Sequence, residues 1–77
     1  MTRDEQWQLS CEAEAAAADL ESAAWTLRGL AVRLRPNERI EGESEHCDRQ
    51  AKHYRNRAIQ YRKMAAGDLD GALEMQS

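Results

Sequence analysis

Phenylalanine is absent from this chain, proline occurs once, and two tryptophans with two tyrosines supply every aromatic ring. With so few large rings, alanine carries much of the apolar content. No apolar run approaches the length of a membrane span, and no N-terminal apolar segment with a basic flank reads as a signal peptide. Neither the net charge of −3 nor its magnitude marks the whole molecule as a polyanion binder. Cysteine is equally scarce. Cys11 and Cys47 allow one intramolecular bridge at most and form no CxxC pair, so a reducing cytoplasm is the expected setting. At 77 residues the chain is one domain, residues 1–77, close to the lower limit for a self-sufficient core. Chains of this size draw stability from a disulfide, a metal or a partner subunit.

What is present is helical pattern. Thr2 with Glu5 reads as a capping box, and the first helix is expected over about 3–34, stopping where Pro36 disfavours helix at Arg35. Pro36, Asn37 and Gly42 mark a bend. A second helix is expected over about 45–66, capped near Ser44 and closed by Gly67 after Arg62 and Lys63. Asp68 can cap a short third helix, about 69–75, through Leu69, Ala72, Leu73 and Met75. No strand pattern occurs, so the fold class is all-α.

The first helix carries Leu9, Ala13, Ala16, Leu20, Ala23, Leu27, Leu30 and Leu34 at alternating steps of four and three, the seam of a coiled coil. Cys47, Ala51, Tyr54, Ala58, Tyr61 and Ala65 repeat the spacing in the second helix. Folding the chain at residues 35–43 gives an antiparallel hairpin. Matching large to small side chains puts Ala51 opposite Leu27, Ala58 opposite Leu20, Tyr54 opposite Ala24 and Tyr61 opposite Ala17. In the same register Cys47 reaches the level of Ala31, far along the helix from Cys11, so no bridge joins the two thiols and Cys11 reads as partly exposed.

Charge supports the hairpin. Residues 1–24 hold Arg3 alone against Asp4, Glu5, Glu12, Glu14, Asp19 and Glu21, and residues 49–66 hold Arg49, Lys52, Arg55, Arg57, Arg62 and Lys63 with no acid. Glu41, Glu43, Glu45 and Asp48 in turn face Arg28, Arg33, Arg35 and Arg39. The basic stretch is therefore expected to lie along the acidic half of the first helix. Exposed pairs of this kind select orientation more than they stabilise.

On the far side of the first helix, Cys11, Ala18, Trp25 and Val32 recur every seven residues, and Trp7 and Ala15 extend their face. This is the expected interface, first with a second copy in a four-helix bundle, otherwise with another protein. The third helix is expected to fold over the open end near Trp7 and Leu9, and Ile40 to plug the bend.

Catalytic chemistry is not expected. His46 and His53 stand roughly 10 Å apart along the helix, too far to share one cation unaided. No ExxH pair, glycine-rich phosphate loop or Ser-His-Asp set is present, and no cofactor is implied. The function expected is that of a non-catalytic interaction module, a regulator, adaptor or inhibitor that occupies a surface of a larger protein. By analogy of form alone, small inhibitors encoded by bacteriophages or mobile elements are built this way. The alternatives are a nucleic-acid or nucleotide binder using Arg49, Lys52, Arg55, Arg57, Arg62 and Lys63, and a coiled-coil segment that only assembles.

Overall fold

A computed structural model of the chain describes residues 1–35 and 40–75. It contains α1 (Arg3–Leu34), α2 (Glu43–Ala65) and α3 (Leu69–Glu74), and among the described residues no strand. The Pro36–Asn37 bend and the charges of Glu38 and Arg39 lie outside the described residues.

The helix ends follow local chemistry. The Thr2 hydroxyl accepts from the Glu5 backbone N–H and donates to its carboxylate, both at 3.1 Å. Arg35 leaves the helix in an extended conformation, as a residue before proline must. Helix α2 begins earlier than the expected Ser44 cap. Gly42 takes φ 83° and turns the chain into the helix at Glu43, a conformation that glycine adopts at little cost. At its other end Gly67 sits at φ 84°, and the Asp68 N–H returns 2.8 Å to the Lys63 carbonyl. That six-to-one bond is a Schellman closure. The Asp68 side chain then caps α3 through the Gly71 N–H.

The two long helices form the expected antiparallel hairpin, but α1 is turned the other way. Its buried residues are Cys11, Ala15, Ala18, Ser22, Gly29 and Val32, against Cys47, Ala51 and Ala58 of α2. The anticipated leucine seam lies outside, with Leu9, Leu20, Leu27, Leu30 and Leu34 between 49% and 74% exposed. The two stripes differ in phase by two residues, about 200° around the helix, so the leucines point away from α2. The expected matches of Leu27 with Ala51 and Leu20 with Ala58 are thereby replaced.

Small residues explain the choice. A Cβ placed on Gly29 would stand 3.3 Å from the Cys47 Cβ, so the backbones approach closely there. Farther along, the Ser22 hydroxyl donates 2.8 Å to the Ala51 carbonyl, a buried bond between helices. Neither contact tolerates a leucine between the helices. The α2 seam of Cys47, Ala51, Tyr54, Ala58, Tyr61 and Ala65 holds as expected, with the tyrosines and Ala65 half-buried at its margins.

Three further expectations change. Cys11 is buried rather than partly exposed, and both thiols are free. Helix α3 packs on α2 and does not meet α1. Ala72 is its buried residue and receives a 3.2 Å bond from the Gln60 amide, whereas Leu69 and Leu73 stay exposed. Trp7 and Leu9 are consequently uncovered. Ile40 is exposed and does not plug the bend.

The swap of faces has a direct test in thermal unfolding followed by circular dichroism, at concentrations where any assembly has dissociated. Leu27→Ala should change stability by no more than about 0.5 kcal/mol, as for an exposed side chain. Were Leu27 in the seam, the loss would be about 2–5 kcal/mol. Ala58→Leu, at a position 0% exposed, should cost about 1–3 kcal/mol by overpacking the seam.

Candidate interaction surface

Along its outer side, α1 presents Leu9, Ala13, Ala16, Leu20, Ala23, Leu27, Leu30 and Leu34 to solvent. The helix is 32 residues long, so this stripe runs most of a rod of about 48 Å. Scattered exposed leucines are ordinary on a protein surface. A line of them at heptad spacing, on a molecule only 11 Å thick in its shortest extent, forms one continuous contact face.

The residues expected at the interface have other work. Cys11, Ala18 and Val32 are buried between α1 and α2, and Trp25 lies half-buried at the edge of that seam. The His46 ring meets Trp25 edge-on at 5.4 Å, and the Arg28 guanidinium stands 4.7 Å from the Trp25 ring centre. Both contacts are within the chain. Trp7 alone of the expected set remains open. Its position four residues before Cys11 continues the seam phase toward the helix N-terminus.

The flanks of the hairpin carry the charges. Asp19 pairs with Arg62, and Arg33 with Asp48 at 2.6 Å. Asp19 and Arg33 are two heptads apart on α1, as Arg62 and Asp48 are on α2. The acid is on α1 in the first pair and on α2 in the second. Arg35 meets Glu43 at 3.3 Å near the bend. The Arg62 hydrogen bond holds the Asp19 carboxyl below the usual carboxylate range, and Asp19 raises Arg62 in return. Asp19, Arg62, Arg33, Asp48 and Arg35 are about half exposed, and only Glu43 is half-buried, so orientation is the main effect of the exposed pairs.

Of the residues considered for phosphate binding, Arg62 is engaged with Asp19, and Arg57 donates 3.1 Å to the Tyr61 hydroxyl while lying 5.5 Å from its ring centre. Arg49, Lys52 and Arg55 are exposed, and Lys63 is half-buried. The six cations therefore divide between the α1-facing flank and the outer side of α2 rather than forming one surface.

Glu14, Ala17, Glu21, His53, Tyr54, Arg57 and Tyr61 line an open cleft of about 310 Å³. Two polar pairs lie within it, one of them Arg57 with Tyr61. The Glu21 carboxylate accepts from the Tyr54 hydroxyl and, by that bond and its charge, raises the phenol's pKa. The His53 ring stands edge-on to Tyr54 at 5.1 Å. No nucleophile is paired with a base there. Among the described residues no group of three His, Cys, Asp or Glu side chains could hold a metal ion, and no helix is long and apolar enough to cross a membrane.

No family model, curated protein or solved structure matches this chain.

The tyrosine–glutamate contact makes a titration prediction. A phenol raised in the folded state is favoured in its neutral form. Its contribution to stability is present below the unfolded phenol's range and lost as pH rises through the folded value. Ultraviolet difference absorbance should place Tyr54 above an unstructured tyrosine, and Glu21→Gln should lower it again. An unchanged Tyr54 titration in that variant would show that the contact does not form.

Proposed function

We propose that this chain is a non-catalytic helical protein–protein interaction module, acting as a regulator, adaptor or inhibitor, and that it makes contact through the leucine stripe of α1. The observation carrying this reading is the inverted distribution of apolar side chains. The buried apolar residues are Cys11, Ala15, Ala18, Val32, Cys47, Ala51, Ala58 and Ala72, while every leucine of the stripe is outside. A small chain that keeps its largest aliphatic residues in register on a solvent-facing helix gains most from covering them. Burying a leucine is worth about 1.5–3 kcal/mol, against under about 1 kcal/mol for each exposed ion pair.

Helix-to-helix docking is the mode that suits a straight heptad stripe. In the cleft beside Tyr54, Tyr54 is engaged with Glu21 and Arg57 with Tyr61, which favours binding over catalysis. Phosphate binding is the second reading, and the exposed Arg49, Lys52 and Arg55 of α2 favour it. It would show itself as affinity for DNA or RNA that falls steeply with salt.

The test is affinity capture with the immobilised chain, counting retained copies of itself as well as other proteins. The comparison is the double variant Leu20→Asp/Leu27→Asp, whose exposed positions leave the hairpin intact by circular dichroism. Retention should fall roughly tenfold or more, equivalent to at least about 1.4 kcal/mol. Equal retention by both chains, or no specific retention by the wild type, would refute the stripe as the contact element.

A further inference from the structure

The leucine stripe is complementary to itself when reversed. Counting inward from its two ends pairs Leu9 with Leu34, Ala13 with Leu30, Ala16 with Leu27 and Leu20 with Ala23. Leucine thus falls opposite alanine at each of the three inner levels, the alternation that lets facing layers interdigitate at interior density. We propose that the stripe is covered by a second copy of this chain, with the two α1 helices antiparallel about a two-fold axis passing between Leu20 and Ala23. This rests on the reading of the stripe as the contact element and names its occupant.

Charge selects the same arrangement. The first part of α1 carries Glu5, Glu12, Glu14, Asp19 and Glu21, and its last part Arg28 and Arg33, with Arg35 just beyond its end. Antiparallel packing lays the acidic end of each helix beside the arginine end of the other. Glu12 comes level with Ala31 of the second copy, two residues or about 3 Å along the axis from Arg33, which keeps its bond to Asp48. A parallel pair would set acid beside acid and arginine beside arginine. It would also stack alanine on alanine at Ala13, Ala16 and Ala23, leaving gaps between the leucine layers. Along one edge of the stripe Ser10, Ala17, Ala24 and Ala31 are all small, so the copy can approach closely on that side.

The two-fold contact is isologous and closes on itself, so it produces a dimer and not a fibre. Since the stripe and the α2-facing seam lie on opposite sides of α1, the dimer is an open row of four helices with the two α1 helices at its centre. A larger target would then meet the outer faces of α2, where Arg49, Lys52 and Ile59 are exposed.

Light scattering coupled to size exclusion reads the oligomeric state of the unmodified chain, and thiol cross-linking reads the direction. For the second, Cys11 and Cys47 are replaced by alanine, and Leu9→Cys and Leu34→Cys are made on separate chains distinguished by mass. The expected results are a dimer, and, on mixing and oxidation, a disulfide between the two kinds of chain, because only facing positions bring Cα atoms within about 7 Å. Leu20→Asp, which enters twice beside the axis, should raise the dissociation constant roughly a hundredfold. A wild-type chain that stays monomeric at all concentrations overturns the proposal, even if capture yields another protein and so upholds the stripe as a contact element. Cross-links confined to like chains, Leu9→Cys with itself, overturn the antiparallel register. A dimer indifferent to Leu20→Asp shows that the copies meet elsewhere. The light-scattering result stands if either cysteine variant loses its helix content.

Discussion

The close approach of α1 to α2 is the constraint on which the rest of this structure depends. Gly29 leaves room for Cys47, and Ser22 reaches the backbone carbonyl of Ala51 across the helix pair. At such a separation alanine, serine, glycine and cysteine bring backbone against backbone, and dispersion accumulates over many small contacts instead of a few large side chains. Val32 is the largest residue of α1 to be buried in this seam. Leucine is excluded by volume, and once α1 has turned its small residues inward its leucines must point the other way.

Direction is fixed by the eight residues between Leu34 and Glu43, too few to run back along α2, and register is a separate matter on which the charges bear. A seam of small residues with heptad spacing has little to distinguish one register from another, since neighbouring alanines are nearly interchangeable. The alternating pairs Asp19–Arg62 and Arg33–Asp48 make the distinction. They lie on one flank, two heptads apart, with reversed polarity, and sliding or reversing α2 would set like charge against like. The tyrosines on the other flank contribute in the same sense, because Tyr54 meets Glu21 from above the seam. The basic stretch of α2 is therefore partly structural. Arg62 ties α2 to α1 and Arg57 is engaged with Tyr61 within α2, whereas Arg49, Lys52 and Arg55 are exposed.

Much of this was legible in the residues themselves. The Thr2–Glu5 cap, the stop before Pro36, Gly67 and the Asp68 cap fall where local chemistry places them, and the antiparallel charge pattern required only the signs of the side chains. Which face of α1 turns inward was not legible from periodicity, because α1 carries two heptad stripes that are equally regular. Choosing the one with leucines follows the rule that the largest apolar residues are buried, which assumes that one chain is the whole packing unit. The contrary signal was present in Ser22 and Gly29, which share the phase of Cys11, Ala15, Ala18 and Val32 and make a run of small residues, interrupted only by Trp25, that faces the equally small stripe of Cys47, Ala51 and Ala58. The position of α3 was misread for a related reason. Leu69 and Leu73 drew attention as the anchors, whereas the close packing on α2 is made by Ala72.

Two faces on one helix then imply two levels of cohesion. The inner seam is short-range and made of small groups, so it specifies one partner geometry but removes modest apolar area from water. The outer stripe holds more apolar surface per residue and nothing within the described chain covers it. If the proposed copy occupies it, folding and association are coupled, because the apolar burial that a chain of this length lacks is supplied at the two-fold contact. The same coupling rationalises why α1 tolerates an internal glycine. Gly29 weakens the isolated helix by about 1 kcal/mol relative to alanine, but it allows the contact with Cys47 that holds α1 in the one rotation presenting all its leucines outward.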